Sequence, residues 1–220
     1  MRALLSWSSG KDSAWTLHLL QARPHIDVVG LLTTVNRDMK RVAMHAVREE
    51  LLEMQARAAA LPLRKVPIPH GCSNADYEQA MGEQMSRARD EGIEAIAFGD
   101  LYLADIRRYR EEKLHHTGIT PLFPLWGLKT DGLAREMIRG GLKARITCVD
   151  PKQLDGAFAG REFDAALLRE LPASVDPCGE NGEFHTFAYD GPMFRAPIGV
   201  TGGEVVTRDG FVFADLVAAT

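Results

Sequence analysis

Apolar residues in this chain fall into two kinds of run that alternate along its first half. Short, nearly continuous apolar and β-branched stretches stand at Leu4-Leu5, at 27–35 (D-V-V-G-L-L-T-T-V), at 63–68 and at 93–98. Between them apolar residues recur at helical spacing. Trp15, Leu17, Leu19 and Leu20 mark a first helix that Pro24 ends; Val47, Leu51, Met54, Ala58 and Leu61 mark a second; Tyr77, Met81 and Met85 lie on one side of a third, at 74–91. Continuous apolar strands are those covered on both faces, and strands alternating with helices need right-handed crossovers. The pattern β-α-β-α-β-α-β therefore predicts a parallel sheet with helices on both sides.

The second half reads differently. A strongly charged helix at 104–117 leads into Thr120-Pro121-Leu122-Phe123-Pro124-Leu125-Trp126-Gly127, too apolar for a loose linker and too rich in proline for a helix. It is read as a packed crossing between domains. A helix at 130–139, a strand at 144–149 and a helix at 162–171 follow, then an irregular, glycine-broken stretch at 175–186. Residues 205–207 and 211–213 flank Arg208-Asp209-Gly210, an Asp-Gly hairpin signal. The predicted architecture is α/β: a parallel, doubly wound, Rossmann-like sheet over 1–119 and a smaller α+β domain over 120–220.

The first strand runs into Ser6-Trp7-Ser8-Ser9-Gly10-Lys11-Asp12-Ser13. A Ser/Gly turn entering a helix leaves backbone N–H groups and the positive end of the helix dipole aimed at one spot, which suits phosphate. Gly10 lets a ligand approach the backbone closely, and Lys11 adds a mobile cation. Asp12 either caps the helix or helps hold a divalent ion shared with the phosphates, which implies Mg²⁺. The G-x-x-x-x-G-K-[ST] and G-x-G-x-x-G patterns are both absent.

In parallel sheets ligands lie beyond the carboxyl ends of the strands. The Ser8, Ser9, Gly10 and Ser13 turn, Thr33, Thr34 and Asn36, the stretch 70–73, and Gly99 with Asp100 all fall on that rim, and Asp100 suits a nucleotide or metal role. Arg107 and Arg110 follow closely enough to reach phosphate. A second cluster, Glu180, Asn181, Glu183, His185 and Thr186, holds two carboxylates and an imidazole in seven positions, enough for a general base or a grip on a polar substrate.

Composition narrows the field. The chain is 45% hydrophobic and 25% charged over 220 residues, enough for a substantial core. No apolar run spans a membrane and no secretory leader pattern stands at the start, so cytoplasm is the expected location. Cys72, Cys148 and Cys178 are scattered and odd in number, neither a disulfide framework nor a zinc site. A net charge of -4 without a dense Lys/Arg tract speaks against a long nucleic acid as partner. A homodimer is compatible with all of this.

The opening loop resembles the S-G-G-K-D-S pyrophosphate loop of the N-type ATP pyrophosphatases, with Ser9 in place of the first Gly. Gly179-Glu180-Asn181-Gly182-Glu183-Phe184-His185-Thr186, followed by Asp190-Gly191-Pro192, resembles the G-E-x-G-E-[FY]-H-T…D-G-P signature of the diphthine-ammonia ligase family, a branch of the adenine-nucleotide α-hydrolases. Phe98-Gly99-Asp100 and Pro124-Leu125-Trp126-Gly127 extend the likeness over nearly the whole chain. The resemblance implies a HUP-type nucleotide domain, a smaller substrate domain and an active site between them. It implies that ATP, with Mg²⁺, adenylates a carboxylate on a small molecule or a modified protein side chain, and that ammonia then displaces AMP. Carried over, Ser8 to Ser13 hold the β and γ phosphates, Lys11 and Asp12 act on them, and Gly99 and Asp100 lie near the nucleotide. Met44 and His45 lie by the adenine. Glu180, Asn181, Glu183, His185 and Thr186 face the acceptor and the amine.

The contexts Cys72-Ser73 and Asp176-Pro177-Cys178-Gly179 look like the shorter bacterial branch, where diphthamide is not expected; amidation of a small carboxylate, as in corrinoid metabolism, is one substitute. Two rival functions share the loop. A tRNA-modifying enzyme wants a basic face and catalytic cysteines; a regulatory protein would bind the nucleotide without turnover.

Overall fold

Leu4 and Leu5 are adjacent on the first strand, yet they bury into different layers, and this double burial is why the run had to be apolar throughout. The structure, a computed structural model, describes residues 1–37, the backbone of 41–42, and residues 47–69 and 71–219. Strands β1 (Arg2–Ser6), β2 (Asp27–Asn36), β4 (Leu63–Ile68), β5 (Ala95–Ala97) and β6 (Thr120–Leu122) form a parallel sheet in the order β4-β2-β1-β5-β6. The short β3 (Arg41–Val42) runs antiparallel beside the end of β2. Because β2 lies between β1 and β4, the chain moves outward in one direction and then returns past β1 to build β5 and β6. The reversal places the carboxyl ends of β1 and β5 side by side, at the switch point of the sheet.

Helix α1 (Lys11–Gln21) and α2 (Glu49–Ala59) cover one face; α3 (Asn74–Asp90) and α4 (Ala104–Leu114) cover the other. Ser73 caps α3, its hydroxyl accepting from the Asp76 N–H at 3.1 Å.

The second unit is an antiparallel sheet in the order β8-β7-β10-β9, built from β7 (Lys143–Val149), β8 (Phe184–Asp190), β9 (Val200–Arg208) and β10 (Phe211–Ala218). Helix α5 (Thr130–Arg139) precedes it. The two units share a core: Leu5, Trp7, Trp15 and Leu17 belong to the same buried cluster as Ile146, Phe184 and Phe187. Gln55, fully buried on α2, bolts them together. It accepts from Trp7 Nε1 at 2.9 Å and donates to the carbonyls of Ser9 at 2.9 Å and Ala188 at 2.6 Å. Three satisfied bonds explain how a polar side chain sits among Leu51, Leu52 and Ala56.

Four expectations change. Residues 120–122 belong to the parallel sheet as β6, and only the remainder of 120–127 crosses between units; a strand with one Pro, Pro121, is tolerated at an edge. The helix expected at 162–171 is α6 (Ala165–Glu170), because Asp164 caps it by accepting from Leu167 N at 2.8 Å, while Glu162 is extended and pairs with Arg145. The stretch 175–186 is not wholly irregular: from Phe184 it is β8, whose Phe184 and Phe187 are deep in the shared core. The closing hairpin is longer than its apolar pattern, and Asp209 and Gly210 both take positive φ, 52° and 82°, as a two-residue primed turn requires.

Candidate active site between the two sheets

Gly10, in extended backbone, is the N-cap of α1, so the unpaired amides of the first helical turn open onto the rim at the switch point. The Lys11 N–H is taken by Thr186 Oγ1 at 3.0 Å, a contact from β8 that seats the helix end against the second sheet. Ser8 Oγ lies 3.2 Å from Ser13 Oγ, so both hydroxyls stand at the mouth of the turn. Gly99 closes the cradle from the β5 side. A Cβ there would come within 3.1 Å of the Asp12 carbonyl carbon and 3.2 Å of Ser13 N, so a larger residue would have to shift the first turn of α1. A cleft of about 270 Å³ opens here, lined on one side by Ser8, Lys11, Asp12, Ser13, Gly99 and Asp100 and on the other by Glu180, Phe184, His185 and Thr186. Residues separated by more than 160 positions thus face one another, which is what the two motifs implied.

Ser9 is the exception within the turn. Its φ is +71°, its hydroxyl is buried without a partner among the described residues, and its carbonyl accepts from Gln55 and from Ala188 N at 3.0 Å. It faces the shared core and not the cleft. A left-handed conformation is glycine's natural territory, and a buried hydroxyl without a bond costs about 1–3 kcal/mol. Ser9→Gly is expected to raise stability by about 1 kcal/mol after glycine's own entropic cost, an increase of roughly 2–4 °C in melting temperature by calorimetry. An unchanged or lower melting temperature would show that the conformation carries no strain.

Lys11 is 2% exposed. Its ammonium donates to Asp12 Oδ1 and Oδ2 at 3.0 and 2.8 Å and to the Cys178 carbonyl, and it lies 5.6 Å from the ring centres of both Phe163 and Phe184. Burial pulls its pKa down, but Asp12, with Cys178 and Glu180, more than reverses this, so it remains charged. Asp12 does not cap α1, whose cap makes no side-chain bond; its carboxylate is given to Lys11. Asp100 is likewise held, by Arg110 at 2.6 and 3.1 Å, and the Arg110 guanidinium stacks 4.3 Å from the Phe98 ring centre.

The second cluster divides into two roles. Glu183 is buried and accepts from Asp176 N at 2.8 Å and from Asn181 N and Nδ2, both at 3.0 Å. Expected to face the acceptor, its carboxylate is instead spent on folding the 176–183 loop. Asn181 serves the same loop, its Oδ1 accepting from Tyr102 OH at 2.9 Å. Glu180 lines the cleft. Its Oε1 accepts from Leu101 N at 2.8 Å, yet burial is the stronger influence and pushes its pKa up to about 7. His185, also in the cleft wall, is driven down to about 4 by burial and then by Lys11, so its imidazole is neutral at physiological pH.

Thr33 lies away from the cleft: its hydroxyl donates to the Trp7 carbonyl at 2.8 Å and ties β2 to the end of β1. Met44 and His45 lie outside the described residues. The pattern along the chain missed Tyr102, whose hydroxyl oxygen also lies 3.2 Å from Asp176 Oδ2, and Cys178, a buried thiol in the cleft wall whose pKa burial raises. A tyrosine two positions after Gly99-Asp100 and a Cys flanking the G-E motif were the available signals.

The cradle fits a polyphosphate. Among the described residues no cluster of three His, Cys, Asp or Glu could hold a metal, and both candidate carboxylates are in ion pairs. Such a donor set suits an ion brought in by phosphate oxygens, not a resident one.

The chain is 28% identical to the diphthine–ammonia ligases of Bos taurus and Homo sapiens over 236 aligned residues, covering 97% of itself and 88% of each relative. The ligase of Danio rerio is 27% identical over 97% of this chain and 92% of its own. Among solved structures, a U34-tRNA thiolase from Methanococcus maripaludis superposes with a TM-score of 0.40 at 16% identity, over 63% of this chain and 57% of its own, too partial a likeness to bear on function. The model described as "Diphthamide synthase N-terminal domain" matches residues 1–121, the parallel sheet with its phosphate cradle, and that described as "Diphthamide synthase C-terminal domain" matches residues 129–214, which carry the facing wall. The chain therefore belongs to the diphthamide synthase family.

Proposed function

We propose that this protein is an ATP-dependent amide ligase: it adenylates a substrate carboxylate, releasing pyrophosphate, and passes the acyl group to ammonia, releasing AMP. The observation that carries this reading is the single cleft shared by the phosphate loop and by Glu180. One wall offers amides and cations to a polyphosphate; the other offers a carboxyl group titrating near neutrality.

A carboxylate is a poor acyl donor until one of its oxygens becomes part of a good leaving group. In this proposal the parallel-sheet unit, which with β6 extends to Leu122, holds the nucleotide and the rest of the chain holds the acceptor. Ser8, Ser13 and the α1 amides that follow Lys11, whose own N–H is held by Thr186, bind the β and γ phosphates, and Lys11 counters charge that grows on the departing pyrophosphate. Mg²⁺, carried by the phosphates beside Asp12 and Asp100, would supply further charge neutralisation when bound. Ammonia reaches the cleft chiefly as ammonium, which has no lone pair to attack with. Glu180, ionised in about half of the molecules near pH 7, takes that proton, and neutral His185 and Thr186 orient the acceptor. Diphthine, which the relatives' name specifies, is the first acceptor to test.

The test is an assay for AMP and pyrophosphate with ATP, ammonium and a panel of acceptors: diphthine-bearing protein and small carboxylates. Acceptor-dependent AMP formation with an amide product is expected. ADP as product would contradict the reading, as would tight ATP binding without turnover on any acceptor.

A further inference from the structure

Strand β9 is the outer strand of the antiparallel sheet, nine residues long, and among the described residues nothing pairs with its far edge. Every residue from Thr201 to Arg208 is exposed, with Val205 at 60% and Val206 at 43%. Sheet edges in monomers are usually short, or blunted by lysine and other charges, proline or a bulge; β9 (V-T-G-G-E-V-V-T-R) has neither lysine nor proline, and its register shift against β10 falls between Gly202 and Val205, leaving 205–208 in regular pairing.

The hairpin fixes which backbone groups point outward. Arg208 and Phe211 are partners across the two-residue turn, and in such a hairpin the closing pair bonds to each other. By the alternation of an antiparallel ladder, Arg208 and Val206 direct their N–H and C=O groups to β10, while Thr207 and Val205 direct theirs away from it. A second copy of β9, laid antiparallel about a two-fold axis through Val206, sets Val205 against Thr207 of the other copy, twice. The outward groups of each strand then meet those of its mate. Val206 faces itself, and Glu204 stands opposite Arg208 of the other copy, also twice. Moving the axis by one residue, to Val205, sets Glu204 against Val206 and Arg208 against Gly202, and both charge pairs are lost. Opposite charges directly across a ladder stabilise it and like charges oppose it, so the sequence selects the Val206-centred register.

We propose that the protein is a two-fold homodimer joined edge to edge through β9, forming one eight-stranded sheet with an active cleft in each protomer. The surface is self-complementary in hydrogen bonding, in its two exposed valines and in charge, which argues for a second copy as the occupant.

Sedimentation equilibrium of the full chain is expected to give twice 24.3 kDa in the micromolar range. Glu204→Arg places like charges opposite each other at both ends and is expected to weaken the dimer at least about tenfold, with no loss of fold by circular dichroism, since the residue is exposed. Arg208→Glu should act in the same direction, and Glu204→Arg with Arg208→Glu should restore the wild-type dissociation constant. The Val205 and Thr207 amides should exchange slowly with solvent in the wild type and rapidly in Glu204→Arg. A monomer throughout the micromolar range, a dimer unaffected by Glu204→Arg, a double variant that fails to recover, or fast exchange of both amides in a wild-type dimer would each overturn the proposal.

Discussion

Replacing Lys11 with Ala is expected to lower AMP formation at least about 100-fold and, in the same protein, to cost about 3 kcal/mol of stability. The first effect follows from removing a preorganised cation from the leaving pyrophosphate. The second follows from where that cation sits. With Nζ buried between Phe163 and Phe184 and bonded to Asp12 and the Cys178 carbonyl, its loss leaves a carboxylate largely shielded from water and unpaired. Asp12 keeps a 27% exposed side chain, so the penalty belongs at the lower end of the range for a broken buried pair. For a chain of this size that is a fall of roughly 6–12 °C in melting temperature. The two effects separate in a double variant. Lys11→Ala with Asp12→Asn removes the stranded charge and should regain most of the stability while remaining inactive. Near wild-type AMP release by Lys11→Ala would remove the cation from the mechanism; an unchanged melting temperature would show that water reaches Asp12 freely.

Glu180→Gln is expected to reduce amide formation by about 10² to 10³-fold and to abolish the dependence of the rate on a group titrating near 7. Glutamine keeps the Oε1 acceptor used by Leu101 N, so the loop should stay in place. In the wild type, kcat/KM should rise as pH passes through about 7, because the carboxyl must lose its proton before it can accept one from ammonium. The stability effect has the opposite sense. A folded-state pKa raised from 4.5 to about 7 means that the native protein holds this proton more tightly than the unfolded chain does. The associated stabilisation is complete below about 4.5 and is lost as pH rises through 7. Glu180→Gln should therefore melt higher than the wild type at pH 8 and at the same temperature at pH 4, read by calorimetry at both values. A variant that retained the pH profile would assign the titrating group to another residue.

Adenylation and amidation, if both run in this cleft, also need water kept from the acyl-adenylate. Phe98, Leu103 and Ile106 supply apolar wall beside the polar groups, and the loop carrying Glu180 is tied down at Asp176, Asn181 and Tyr102. That tethering explains why Glu183, although central to the G-E-x-G-E motif, has no group to spare for the substrate. A buried carboxylate accepting three N–H bonds folds the loop that presents its neighbour.

How much of this was readable along the chain depends on the range of the interaction involved. The parallel sheet was legible because each strand is buried on both faces and each helix on one, so period and composition report the layers directly: Leu4 and Leu5, or Leu31 and Leu32, are apolar for two different cores. The turn from Ser8 to Ser13, proposed above to hold phosphate, was legible as a strand-to-helix turn because such a turn is a local object, made by one strand end, one small residue and one helix start. Asp209-Gly210 was legible for the same reason, as a turn whose backbone angles only a few residues accept. What tertiary structure alone decided was which polar groups have electrostatic work left once the fold is made. Glu180 and Glu183 are three positions apart and chemically alike, yet one accepts two amides of its own loop and a side-chain amide, while the other is buried at a cleft wall where its pKa rises to about 7. Ser9 and Thr33 carry hydroxyls suited to a ligand and turn them into the protein. Those outcomes depend on neighbours such as Gln55, Tyr102 and Ala188, brought in from far along the chain, and no local pattern encodes the desolvation and hydrogen bonding that they impose.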